Sequence, residues 1–169
     1  GYLILLTVLW FSNASYAPHD MDLRYEEREL IRLSENLTED AKENYTAEFD
    51  AESIIECAKD VMRVKEGRII AFPYPEIFDK LDLSGVFLPY TGHAYINTNE
   101  KPFLLPYVAA HELSHRKGIV NEGQANIEAY IHCMNSDNRQ FRYSASVYAL
   151  KYALCELKSK NEAEYLRLE

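Results

Sequence analysis

The stretch HELSHRKGIVNEGQAN, His111 to Asn126, decides how the rest of the chain is read. On a helix, His111 and His115 stack one turn apart on the same face. Two imidazoles at that spacing reach a single metal ion at about 2.0–2.1 Å. Glu112 lies about 100° around the axis, displaced from the ligand face but near enough to take a proton from a water. Gly118 ends this helix, and Asn121 caps a second one that folds back. Glu122, in the first turn of the returning helix, then faces both imidazoles as a third ligand. Three protein ligands with one open position is the pattern of a catalytic Zn2+ site. Asn126 is one turn beyond Glu122 on the same face. It is placed to hydrogen-bond the outer nitrogen of a ligand histidine and fix its tautomer.

An HExxH pattern is short and arises by accident. Three features argue against accident here. The preceding residues YVAA, Tyr107 to Ala110, are apolar and mostly small, as a buried helix requires. Gly118 and Glu122 fall where a turn and a ligand are needed. The small Ala125 lets two helices approach closely. The competing reading is a metal-free helical domain in which these residues form an ion network, and metal content separates the two.

The surroundings fit a folded domain. The chain has 169 residues, 47% of them hydrophobic, enough to bury a core. Its net charge is −9 with no basic stripe, which argues against nucleic acid as a partner. Cys57, Cys133 and Cys155 are widely spaced and odd in number, so they read as small packing residues rather than a disulfide framework.

The opening GYLILLTVLWF, Gly1 to Phe11, is apolar but shorter than the roughly 20 residues that cross a bilayer. It reads as the end of a membrane helix, as a signal-like segment with Ser15-Tyr16-Ala17 as a cleavage site, or as a buried helix. Residues 1–17 are accordingly set apart from a domain spanning 18–169. Acidic residues dominate the flank from Asp20 to Glu29, which leans toward an extracytoplasmic domain. The final EYLRLE carries no helix-stopping glycine or cap, which leaves open whether the domain continues past Glu169.

Along the domain, residues 20–66 show helical periodicity, with Leu23, Leu30, Leu33 and Leu37 near one face. Ile54, Ile55, Ala58, Val61 and Met62 mark a second helix, capped by Asp50 and ended by Gly67. RIIAF, GVFLPY and HAYINT then read as short strands, the last alternating as a half-buried strand does with Ala94 and Ile96 on one side, and PYP breaks regular structure between the first two. Pro89 demotes GVFLPY to an edge or a bulge. Helices return from about Leu104, with Pro106 in a first turn. Helices, a small sheet, then helices again define an α+β class, mainly helical.

With those residues in place, the motif resembles the gluzincin metallopeptidases, whose HExxH helix is followed by one bearing NExxA and then Asp or Asn. Here the second element reads Asn121-Glu122-Gly123-Gln124-Ala125-Asn126. It is similar also to a bacterial family of membrane-anchored, zincin-like proteins of unassigned function. Their P-x-T-G-x-A-x-(V/I)-N segment is matched by PYTGHAYIN, Pro89 to Asn97. His93 stands where an acidic residue is expected, and Asn126 where gluzincins at large have aspartate. The resemblance implies a zincin-like domain on a membrane anchor, acting on a peptide or protein substrate. It also implies that GHAYIN is the edge strand over the HExxH helix. His93, Ala94 and Tyr95 would then bind an extended substrate by strand addition.

The activity so implied is a Zn2+-dependent peptidase with Glu112 as general base. The alternative is a zinc-binding, membrane-associated regulatory module with little hydrolytic activity. A gluzincin-like mechanism also wants an oxyanion donor, and Tyr143, Tyr148, Tyr152 and Arg142 all remain open for it. His132 and Asn135, farther along the second helix, are weaker ligand candidates.

Overall fold

A computed structural model describes residues 27–65 and 67–168. The apolar opening and Leu23 lie outside the described residues. Among the described residues, no helix is long and apolar enough to cross a membrane.

The chain is α+β and mainly helical. Helix α1 spans Glu27–Asn44 and α2 spans Ala51–Val61. Strand β1 (Ile69–Ala71), helix α3 (Pro75–Lys80) and strands β2 (Gly85–Leu88) and β3 (His93–Ile96) follow. A 3-10 turn at Pro102–Leu104 leads into α4 (Leu105–Arg116), then α5 (Glu122–Met134), α6 (Arg139–Lys160) and α7 (Glu162–Leu168).

Helix α4, which carries the HExxH residues, is the centre of the molecule. It touches α2, α5, α6, β2 and β3. Leu105 to Ala110 and Leu113 are buried, which explains why YVAA is apolar and small. Ile54, Met62, Ile96, Cys133 and Phe141 close the core around it. Helix α1 lies along α6. It buries Leu30 and Leu37 but leaves Leu33 43% exposed, so the apolar stripe is narrower than the leucine spacing suggests.

The sheet corrects one expectation. Its order is β1-β3-β2, so β3, the GHAYIN strand, is central rather than at the edge. Ile69 pairs with Ala94 in a parallel ladder on one side, and Gly85 pairs with Ile96 in an antiparallel ladder on the other. Both sides of its backbone are therefore taken. The edge strand over α4 is β2, where Pro89 follows its last residue.

Local chemistry accounts for most element ends. Asp50 accepts from the Ser53 N–H at 2.8 Å and caps α2. That helix does not end at Gly67. It closes in a Schellman turn at Arg63, with φ 54°, where the Val64 N–H donates to the Lys59 carbonyl at 2.9 Å. The PYP segment does more than break structure, because Pro75 opens α3 from its first turn. Asn161 adopts an extended backbone and separates α6 from α7. Cys133 is buried, as its packing role requires, but Cys155 is exposed.

Candidate metal centre

Two turns of local structure bring the motif together. Gly118, at φ 91°, sits in a Schellman turn: its N–H donates to the His115 carbonyl at 2.9 Å, and the Ile119 N–H reaches the Ser114 carbonyl at 3.3 Å. The chain then reverses. Asn121 accepts from the Gln124 N–H at 2.9 Å and opens α5. Ala125 and Ala129 are fully buried where α5 lies on α4.

The reversal delivers Glu122 to the histidines. Its Oε2 lies 3.1 Å from His111 Nε2, and its Oε1 lies 3.4 Å from His115 Nε2. The two Nε2 atoms are 3.0 Å apart. One ligand atom from each residue falls within 4.8 Å of the others. The donor set, two imidazoles and one carboxylate, suits zinc. His115 is prepared for such a role. Its Nδ1 faces the Ile119 carbonyl at 2.8 Å, which holds a proton on Nδ1, so that Nε2 is the nitrogen at which a metal would replace a proton. The residues present therefore fit the ion.

Three acceptors and donors of unlike charge at this distance shift one another. Hydrogen bonds from His111 and then His115 pull Glu122 down to about 2, against the opposing effect of burial. Burial pulls His115 down, but its hydrogen bond to Glu122 and the charge of Glu112 outweigh this and lift it to about 9. Glu112 is 6% exposed. Burial drives its carboxyl above the ordinary range, while His111, His115 and a hydrogen bond from the Phe87 N–H pull it back. A buried carboxyl with a perturbed pKa, beside two imidazoles, is a candidate proton-transfer group.

Several site residues carried no recognised signal. Gly85 of β2 faces Glu112 so closely that a Cβ would stand 2.8 Å from Glu112 Cγ. A glycine inside a strand pattern marks such an approach, so the sequence held the cue. Arg116 extends its guanidinium between Gly67 and Gly92 and donates to the Gly92 carbonyl. This pins the end of α4 to the sheet. Nothing in the local sequence pairs those positions.

Asn126 is not where the sequence suggested. Its Oδ1 lies 3.4 Å from the Tyr107 hydroxyl, and neither His111 nor His115 bonds it. His111 Nδ1 has no hydrogen-bond partner among the described residues. The proposed contact fails because Tyr107, one turn before His111, stands beside Asn126 instead. His93, Ala94 and Tyr95 are also displaced from a substrate role. Ala94 is fully buried under the sheet, and alternation turns His93 and Tyr95 to the face away from α4. Tyr95 meets the ring of Phe72 there, at 6.0 Å.

The remaining candidates separate cleanly. Tyr143 packs edge-on against Tyr45 at 5.6 Å, and Arg142 donates to Asn44 Oδ1 at 2.6 Å; both are structural. Tyr148 stacks on Tyr107 at 4.1 Å and lies within the field of Glu112. Tyr152 is its exposed neighbour. His132 is a satisfied helix histidine, with Nδ1 3.1 Å from the Val61 carbonyl and Nε2 3.1 Å from Glu128 Oε1. Asn135 donates back to the Ile131 carbonyl at 2.9 Å.

Residues 2–169 match the family described as Protein of unknown function (DUF3810). The chain belongs to that family. No curated protein matches the chain, and no solved structure matches it.

Proposed function

We propose that the domain is a zincin-like, zinc-dependent peptidase of gluzincin type. The single observation that carries this reading is the convergence of His111, His115 and Glu122, with buried Glu112 alongside. His111 Nε2, His115 Nε2 and the Glu122 carboxylate would hold Zn2+. When bound there, zinc supplies Lewis acidity, lowering the pKa of a water to about 7 and polarising a peptide carbonyl.

The chain's own residues supply the rest. Glu112 takes a proton on its carboxylate from the attacking water and passes it to the leaving amine nitrogen. The C–N bond breaks, leaving a carboxylate and an amine. The dry wall around Glu112 keeps its affinity for that proton high. Helix α4, buried along most of its length, holds Glu112 and both histidines on one rigid element. The outer side of edge strand β2, where the Phe87 N–H bonds Glu112, is the sheet edge along which an extended peptide would lie beside the site. Tyr148, which feels the charge of Glu112, is the hydroxyl donor this reading favours.

The apolar opening would anchor the domain to a membrane, with the site on the extracytoplasmic side. That assignment rests on the sequence, because the segment lies outside the described residues.

Metal analysis of the purified protein, followed by peptide cleavage with wild type and Glu112→Gln, tests the reading. We expect one zinc per chain in both and cleavage in wild type alone. Zinc without cleavage in either protein would replace the peptidase by a zinc-binding regulatory module. Equal cleavage by both would remove Glu112 from the chemistry.

A further inference from the structure

Glu122 is the first residue of α5, so no preceding helical turn steadies it. Its carboxylate goes where α5 goes. The contact between α4 and α5 is lined by Ala125 and Ala129. Such small side chains allow close approach but present a smooth surface, which fixes distance better than axial position. Something else must stop α5 from sliding.

Tyr107 provides a stop. It stands one turn before His111 on α4, and Asn126 stands one turn after Glu122 on α5, so the pair is one helical turn away from the ligand cluster on both helices. The Tyr107 hydroxyl donates to the Asn126 backbone carbonyl at 2.9 Å. Because the acceptor is main chain, the bond fixes the helix itself and not a side-chain rotamer. Tyr107 is 4% exposed, and burial pushes its hydroxyl far above the ordinary range, so it stays protonated and donates.

The tyrosine is itself anchored on a third helix. Its N–H falls in the first turn of α4 and has no intrahelical acceptor. Ser144 Oγ of α6 accepts it at 3.0 Å. The ring stacks on Tyr148, also of α6, at 4.1 Å and 22°. Backbone, ring and hydroxyl are thus each held by a different contact.

We propose that Tyr107 is a positioning residue: its hydroxyl, through the Asn126 carbonyl, sets the axial register of α5 on α4 and keeps the Glu122 carboxylate at the two histidines. The proposal rests on reading His111, His115 and Glu122 as zinc ligands.

Tyr107→Phe tests it, since phenylalanine keeps the volume and the stack and removes one hydroxyl. Zinc affinity is measured by competition with a chromophoric chelator, and amide hydrogen exchange is measured on the metal-free protein. We expect zinc affinity to fall about tenfold, the size of effect seen when a group supporting a ligand is lost. Amides in the first two turns of α5 should exchange faster while those of α4 do not. Ser144→Ala is the control: it removes another hydrogen bond of the same residue but leaves the hydroxyl in place, and should keep zinc affinity within twofold. Wild-type affinity in Tyr107→Phe, or an equal loss in Ser144→Ala, would overturn the proposal. If wild type binds no zinc, the ligand assignment fails, and unchanged exchange in α5 would show that the strut fails independently of it.

Discussion

Gly85 and Glu112 are in contact across the space between the edge strand and the HExxH helix. A Cβ on the glycine would stand 2.8 Å from Glu112 Cγ and 2.9 Å from its Oε1. The buried carboxylate is thus placed by an absence of side chain on a strand that precedes it by many residues. Gly85 has no left-handed backbone, so alanine there brings no φ strain, and the nearest atoms its Cβ would meet are those of Glu112.

Gly85→Ala is therefore expected to shift the Glu112 carboxylate without touching the ligands. A displacement near 1 Å of a catalytic group costs on the order of 100-fold in rate. Peptide cleavage should fall about 10- to 100-fold while zinc content stays at the wild-type level. The check is kcat measured beside metal analysis of the same samples. An unchanged kcat would mean that Glu112 is not the proton carrier.

Metal binding should be legible in stability. A ligand that binds only the folded state at 100 times its Kd adds about 2.7 kcal/mol. Wild type is expected to gain that amount from zinc, and His115→Ala to gain little, because one of three ligands is gone. Thermal melts with and without zinc, at matched protein concentration, measure the difference. A similar rise in both proteins would place the metal elsewhere.

Asp79 predicts an acid-side loss of stability. Its carboxylate accepts from Asn97 Nδ2 and from Asn99 Nδ2, each at 2.7 Å, tying α3 to the end of β3. The bond from Asn97, and then that from Asn99, holds its pKa below the usual 3.8. A depressed folded-state pKa stabilises above the unfolded value and loses that stability as pH falls through the folded value. Asp79→Asn should thus melt below wild type at neutral pH, with the gap closing below about pH 3.8. Melting temperature against pH for both proteins decides it; a constant gap would exclude the charge as its source.

Two helices end on residues that pay for a left-handed turn, Arg63 at φ 54° and Asp82 at φ 53°. Relief of that strain is offset by the greater freedom of glycine in the unfolded chain. Arg63→Gly should stabilise by about 0.5–1 kcal/mol. Asp82→Gly should gain less, because aspartate tolerates this region better than arginine. Urea unfolding of the two variants beside wild type checks both the sign and the order.

Much of the site was readable from spacing alone. His111 and His115 share a face because four residues make about one turn, and Gly118 with Asn121 spells a reversal whose chemistry is local. Glu122 follows from that reversal. Asn126 did not reach a histidine, because its position along α5 placed it beside Tyr107, and the identity of a neighbour on another helix leaves no trace in spacing. Helix α3 was missed because Pro75 was read as a breaker, although the same residue suits a first turn.

The strand that faces the helix was the other misreading. GHAYIN alternates as a half-buried strand, with Ala94 and Ile96 inward, and the structure keeps that pattern. Alternation reports which face is buried and not which edge is paired. Only the ladder to β1 on one side and β2 on the other made β3 central and left β2 beside Glu112.

By itself, then, the sequence determined what depends on neighbours within a turn or two: the helix caps, the spacing of the histidines, the reversal at Gly118 and the inward face of β3. Only the tertiary structure decided which strand borders the site, that Gly85 makes room for Glu112, and that the Tyr107 hydroxyl meets the Asn126 carbonyl. The reason is physical: hydrogen bonds and dihedral preferences act over a few residues and are written locally, whereas strand order and helix register are settled by contacts between segments far apart in the chain.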